Sequence, residues 1–490
     1  MPDRPLRILM ISSEMESLAR TGGLGDVVEA LAANVARLGA EVLVVTPLYG
    51  VTRVPRGAAR WDGHVDVRVG WAPEDVRRAG VVELARAAEG RLRVCLLDEP
   101  ALFGRAGIYG DLHGAFGDHE LRFATLSRGA LEMAARAWGT LPDVIHAHDW
   151  HAAFAILYAR FTMGERWRRV PSLFTIHNLG YQGVLAESAI DHLALPREAF
   201  ASGALAHQGN VNLMKGAIAY AERVTTVSPT YAWEIQTPEG GFGLDAFLRA
   251  SSHKIRGVLN GIYTERFDPA EDPHIAERYD ATTAAEGRAA CKAALSAELG
   301  LDPDPSAPLF ATVTRLTWQK GPDLFLGVVP MLVERGARVA LVGQGDRDLE
   351  EAVLAMAARF PGRVAARIAF DPLLARRVYA GGDFFVVPSR YEPCGLTQLY
   401  AMRYGAIPLV TAVGGLKDTV LPARPAQEEG TGIVASFAGP VELVLACEDA
   451  LSIYADPVAM RGLVARAMAR DSSRTPSARA YLSMYREIVR

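Results

Sequence analysis

Cysteine is scarce in this chain. Only Cys95, Cys291, Cys394 and Cys447 occur in 490 residues, with no CxxC pair and no zinc-ligand spacing. That pattern excludes a disulfide framework and a structural zinc module and points to a reducing compartment. Lysine is scarcer for its class, with five among 52 basic residues, so an isolated arginine says little and each lysine asks for a reason. An excess of positive charge is also missing. The formal net charge is −4, which argues against a nucleic-acid binder and suits an uncharged macromolecular partner. Long apolar runs are lacking too, and the short run at 8–11 is halted by Ser12-Ser13-Glu14 without a cleavage-site pattern. A soluble, cytoplasmic protein with neither membrane nor nucleic acid as partner is expected.

What is present is a strand-turn-helix grammar that runs twice, as a chain too long for one core requires. Residues 7–12 read as a buried strand, 26–38 as a helix with Val27, Leu31, Val35 and Leu38 on one face, and 41–46 as the next strand, a βαβ unit. Between strand and helix stands Arg20-Thr-Gly-Gly-Leu-Gly-Asp26. Gly22 and Gly23 let the backbone approach a ligand there, and Asp26 is placed to cap the helix. The spacing is not GxGxxG, and ordinary turn chemistry would explain the glycines as well. A later strand ends at Ile145 and leads into His146-Ala-His-Asp-Trp-His151. These are metal-ligand residue types, but no cysteine or HExxH partner accompanies them, so a metal site is set aside. The strand 172–176 ends in His177-Asn178, where His177 either faces a cleft or is a satisfied structural histidine. Residues 258–262 read as the last strand of the first half. The acidic, alanine- and proline-rich passage 267–308, with one helix at 284–299, then marks a domain boundary near 262.

The second half restarts with a strand at 309–314, a loop at 315–321 and a helix at 323–334. Arg315 and Lys320 flank this βα turn. Two cations beside a helix N-terminus suit a pyrophosphate, although a solvated face is the alternative. Asp346-Arg-Asp348 matches a metal-binding DxD in form but reads as a solvent loop. Phe370 closes a strand and either stacks on a base or fills a core. The strand 383–388 is followed by Ser-Arg-Tyr-Glu-Pro-Cys-Gly-Leu-Thr-Gln from 389 to 398 and a helix over 396–404. Glu392 and the backbone of Cys394, Gly395, Leu396 and Thr397 thus lie where a parallel strand gives way to a helix, the ligand-binding edge of open α/β sheets. A carboxylate beside a row of amides can hold a sugar; alternatively Glu392 is only an acid at a helix start. Thr475-Pro476 opens a final helix with Tyr481, Tyr485 and Ile488 on one face.

Taken together, Thr21-Gly-Gly-Leu-Gly-Asp-Val27, the 146–151 segment, Thr175-Ile-His-Asn178, Val227-Ser-Pro-Thr-Tyr231, Leu259-Asn-Gly261, Arg315-Leu-Thr-Trp-Gln-Lys-Gly321 and the 388–398 segment resemble the bacterial glycogen synthase and plant starch synthase family. The resemblance implies the α/β class in GT-B architecture: two facing Rossmann-like domains, 1–262 and 263–470, with the active site between them and a helix at 471–490 crossing back to the first. It implies retaining transfer of glucose from ADP-glucose to the non-reducing end of an α-1,4-glucan, with no metal and no other cofactor. By position, Arg315 and Lys320 would hold the diphosphate, and Glu392 with the amides of 394–397 the glucose. His177 would approach the reacting sugar. Arg20, Gly22 and Gly23 would border the donor phosphates, Asp26 and Asn178 would line the cleft, Asp149 would face the acceptor, and Asn260 and Phe370 would contact the donor. Arg20 stands where the family has lysine, Tyr263 where it has aspartate, and Phe370 where it has tyrosine. A GT-B enzyme using a UDP- or GDP-sugar with a small acceptor, and a non-catalytic glucan-binding homologue, are the other readings.

Overall fold

The structure is a computed structural model and describes residues 4–489 except 73, 112 and 113. It divides into two compact units, one formed by 1–227, 232–258 and 474–490, the other by 228–231 and 259–473. The first-half boundary therefore falls after Val258 rather than after 262. Residues 258–262 are not a strand; the last strand of unit 1 is Ile255–Gly257, and the Ile262 amide already donates to Ser472 O within unit 2 at 2.8 Å. The four residues 228–231 also join unit 2, where Thr230 donates from its amide and hydroxyl to the Asp418 carboxylate.

Unit 1 is built on a sheet whose parallel core runs, in spatial order, Ile255–Gly257, Arg223–Thr226, Ser172–Ile176, Val144–His148, Arg7–Ile11, Glu41–Pro47 and Leu92–Asp98. These strands read as near-continuous apolar runs because helices cover both faces. Arg7–Ile11, for example, is buried at every residue after Arg7. Beyond Leu92–Asp98 the sheet turns antiparallel through Val76–Glu83, which pairs with Ala59–Arg60 and Val65–Arg68. The alternating burial of Val65–Arg68 marks one solvated face. The closing helix Thr475–Ile488 belongs to unit 1, and its Ala478, Tyr481, Leu482, Met484 and Tyr485 enter the same core as Val28, Leu31 and Val35.

Unit 2 carries six parallel strands in the order Val364–Ile368, Arg338–Gly343, Leu309–Val313, Phe384–Val387, Ile407–Thr411 and Ile433–Ala435. Its central strand Phe384–Val387 is wholly buried. Asp346 and Asp348 do not lie in a loop: the helix Arg347–Arg359 begins there, with Asp346 at its N-cap and Asp348 in its first turn, where acids complement the helix dipole. Each unit thus has the Rossmann-like pattern that places its ligand-binding edge at the carboxyl ends of its strands.

Candidate active site

In unit 2, Lys320 and Glu392 lie on two neighbouring turns that meet. Lys320 ends a 3₁₀ turn, Trp318–Lys320, and is followed by Gly321 at φ 65°. A Cβ at Gly321 would lie 2.2 Å from Pro388 O, so only glycine lets this turn press against the other. Lys320 Nζ then meets Glu392 Oε2 at 2.5 Å, and Ser389 Oγ donates to the same oxygen at 3.2 Å. Glu392 is buried, and the lysine compensates its charge there. Arg390 ties the turns together, donating to both oxygens of Asp323 at 2.8 and 2.6 Å and lying over the Trp318 ring. Gln398 braces the next bend by donating to Cys394 O, Gly395 O and Thr419 Oγ1.

Gly395 adopts φ 70° in that bend, and the helix Thr397–Arg403 follows with Leu396 at its N-cap. The first-turn amides of a helix have no partner within it, so this end can receive oxygen atoms of a ligand. The Cys394 thiol is buried, which pushes it up to about 12, and it hydrogen-bonds with Asn260. Cys394 therefore acts as an apolar spacer, and Asn260 is a buried neighbour of the bend. Arg315 is exposed and makes no side-chain ion pair among the described residues, so its charge is available. Phe370, 68% exposed, follows the strand Val364–Ile368, and the Asp371 carboxylate caps the helix after it. Its ring is presented to solvent and does not fill a core.

Unit 1 assembles a second cluster at its own sheet edge. The helix Gly23–Arg37 starts at Gly23 with Gly22 at the N-cap. Asp26 does not cap it; it sits in the first turn, 2.5 Å from Arg20 Nη1. Burial raises its carboxyl to about 6 against the pull of Arg20. The loop is shaped instead by Glu14, which the sequence presented only as the stop of an apolar run. Its carboxylate is buried and accepts from Thr21 N, Thr21 Oγ1, Gly22 N and Tyr109 Oη at 2.8–3.2 Å.

The histidine segment also departs from expectation. The strand continues through His148, and the helix Asp149–Phe161 begins at once, with Asp149 at φ 56°. That conformation is costly for a residue with a Cβ and marks a position under constraint. Asp149 accepts from the backbone amides of His177 and Asn178 at 2.7 and 3.3 Å. Burial raises its carboxyl to about 7, with the two amides opposing. The three histidines take different partners. His146 bonds Tyr485 Oη and Thr175 Oγ1, His148 meets His177 Nε2 at 3.0 Å, and His151 stacks on Tyr109. Asn178 Oδ1 accepts from Gly180 N, closing the loop that carries His177. The structure thus brings Arg20, Gly22, Gly23 and Asp26 to one βα turn, and Asp149, His177 and Asn178 to another.

A doubled Rossmann-like fold, with a lysine–carboxylate pair at one sheet edge and a glycine-rich turn and histidine at the other, fits the GT-B class of glycosyltransferase, and the relatives that follow place the chain among the enzymes of that class. Residues 7–250 match the starch synthase catalytic domain family and residues 307–452 the glycosyl transferases group 1 family. The chain is 43% identical to a glycogen synthase of Myxococcus xanthus over 99% of its own length and 100% of that protein. It is 41% identical to one of Anaeromyxobacter dehalogenans, with 99% of each chain covered. It is also similar to the solved catalytic domain of starch synthase IV from Arabidopsis thaliana, bound to ADP and acarbose, with a TM-score of 0.90, 32% identity and 99% of each chain covered. A sucrose-phosphate synthase from Thermosynechococcus elongatus shares the fold, at a TM-score of 0.61 and 19% identity over 99% of this chain and 98% of that one. The chain belongs to the glycogen synthase family.

Proposed function

We propose that the enzyme transfers glucose from ADP-glucose to the non-reducing end of an α-1,4-glucan with retention of configuration. The observation that carries this reading is the Lys320–Glu392 contact at 2.5 Å beside the amide-bearing bend at 394–397. Departure of a nucleoside diphosphate builds negative charge on its phosphates, and fixed cations there stabilise the transition state more than the ground state. Lys320 and Arg315 supply those charges. Glu392 and the amides of 394–397 hold the glucose, Asn260 supports that bend, and the exposed Phe370 ring stacks on the adenine. In unit 1, Arg20 and the Gly22-Gly23 turn meet the donor phosphates, His177 approaches the transferred sugar, Asp26 and Asn178 line the cleft, and Asp149 faces the acceptor.

Retention is most simply achieved by attack of the acceptor hydroxyl on the face the diphosphate is leaving. The acceptor oxygen bonds to the anomeric carbon as the bond to the diphosphate breaks, and the hydroxyl proton passes to the departing phosphate oxygen. A double displacement would need a carboxylate close to the anomeric carbon. Glu392, Asp26 and Asp149 are already engaged by Lys320, Arg20 and two backbone amides. The test is a donor panel: purified enzyme with ADP-, UDP- and GDP-glucose and glycogen, with and without EDTA. Elongation fastest with ADP-glucose and indifferent to EDTA is expected. Fastest turnover with another nucleotide sugar, or transfer to small acceptors only, would overturn the assignment.

A further inference from the structure

Behind His177 stands a row of histidines that the reading above leaves without a role. His148 Nδ1 lies 3.0 Å from His177 Nε2. The His148 ring rests on that of His146 with centroids 3.9 Å apart, and His146 is pinned at both nitrogens by Tyr485 Oη and Thr175 Oγ1, each at 2.7 Å. His146 and His148 are fully buried, and burial holds both imidazoles well below their ordinary pKa and takes His177 down to about 3. All three rings are neutral at physiological pH.

A neutral pair in contact through Nδ1 and Nε2 shares one proton, so one ring donates and the other accepts. The choice is decided at the far side of His148, whose Nε2 is buried with no hydrogen-bond partner among the described residues. Were the His177 Nε2 protonated, His148 would carry its hydrogen on this enclosed Nε2, and a buried N–H without an acceptor is the rarer and costlier orphan. With the proton on His148 Nδ1, the enclosed nitrogen is only a bare lone pair.

We infer that His148 is a positioning residue that donates from Nδ1 to His177 Nε2 and so holds His177 as its Nδ1–H tautomer, a neutral hydrogen-bond donor to the transferred sugar. The second nitrogen of a working imidazole commonly sets its tautomer in this way. The peptide amide of His177, bound by Asp149 at 2.7 Å, fixes the backbone from which the ring is aimed. The inference rests on His177 meeting the sugar, and the experiment separates the two claims.

The first measurement is a long-range ¹H–¹⁵N spectrum of the intact wild-type enzyme with ¹⁵N-histidine, His177 being assigned by comparison with His177→Asn. Protonation of His177 at Nδ1 is expected, and protonation at Nε2 would sink the role of His148. Kinetics supply the second. His148→Phe removes the donor and should lower kcat about tenfold while donor KM changes about twofold or less, whereas His148→Asn, whose Nδ2 replaces the lost N–H, should recover to about threefold of wild type. An undiminished kcat in folded His148→Phe, or equal losses in the two variants, also counts against His148. Wild-type turnover in His177→Asn would instead remove His177 from the reaction.

Discussion

Lys320 shows what one side chain is asked to do. In a chain with five lysines, three of the others are fixed by specific partners. Lys292 contacts Asp383 at 2.7 Å and Tyr454 Oη at 2.9 Å, Lys254 donates to the carbonyls of Ala219 and Ala221 at a helix end, and Lys215 donates to Ala206 O. Among the described residues the Lys320 ammonium is held by Glu392 alone, which leaves two ammonium protons for a ligand. Lys320→Ala should therefore lower kcat more than about tenfold and raise donor KM, a loss of about 2 kcal/mol for a charge-assisted contact. Steady-state kinetics check this, and unchanged kcat/KM would remove Lys320 from the site. Glu14 offers the complementary case of a residue that acts through a loop. Its carboxylate accepts four hydrogen bonds, and an amide has only one oxygen with which to accept them. Glu14→Gln should raise donor KM several-fold and cost about 1–3 kcal/mol of unfolding free energy, read by kinetics and by denaturant unfolding.

Among the elements, the closing helix Thr475–Ile488 has the sharpest test. Tyr485 Oη reaches His146 Nδ1 at 2.7 Å, while Tyr481 Oη lies 3.3 Å and 3.5 Å from Thr225 and Thr175 hydroxyls. Tyr485→Phe leaves a buried ring nitrogen unpaired and should destabilise the protein by about 1–3 kcal/mol, whereas Tyr481→Phe should cost less. Equal effects in denaturant titrations would contradict that ranking. This helix also shows how far sequence carries. Its apolar face follows from helical spacing, and the parallel strands follow from runs buried on both faces. The strand through His148 was not legible, because its polar residues are satisfied by partners such as Tyr485, 339 positions away. The same limit applies to the candidate site. Lys320 and Glu392 announce themselves in local motifs, but Glu14 is matched by Tyr109, 95 positions on, and Gln398 by the bend it braces. Asp26 was misplaced as a cap because Gly22 and Gly23 let the helix begin earlier.

At the scale of the whole molecule, the buried titratable groups of unit 1 set a pH dependence that unit 2 does not share. Burial raises Asp26 to about 6 and Asp149 to about 7, so between pH 4 and 6 the native state holds two protons that the unfolded chain releases. These two groups favour folding at low pH, and their contribution is lost as pH rises through those values. Burial acts oppositely on His146, His148, His151 and His177, the last two reaching about 3. Below pH 6.5 the unfolded chain takes up protons on all four that the native state refuses. Four outweigh two, so acidification from pH 6 towards 5 should cost unit 1 up to ~3 kcal/mol per pH unit. In unit 2, burial of Asp272 is outweighed by bonds from Tyr404 and Arg376, and Asp323 is held low by Arg390, so their contributions persist until about pH 4. Six of the seven tryptophans lie in unit 1, which makes indole fluorescence its reporter. Urea titrations followed by fluorescence should show the midpoint falling between pH 7 and pH 5. His151→Phe, which keeps the stacking surface against Tyr109, should flatten that fall by about one proton's share, ~1.4 kcal/mol per pH unit. A midpoint that rises on acidification, or a slope that His151→Phe leaves unchanged, would show that the buried histidines do not govern the acid limit of this unit.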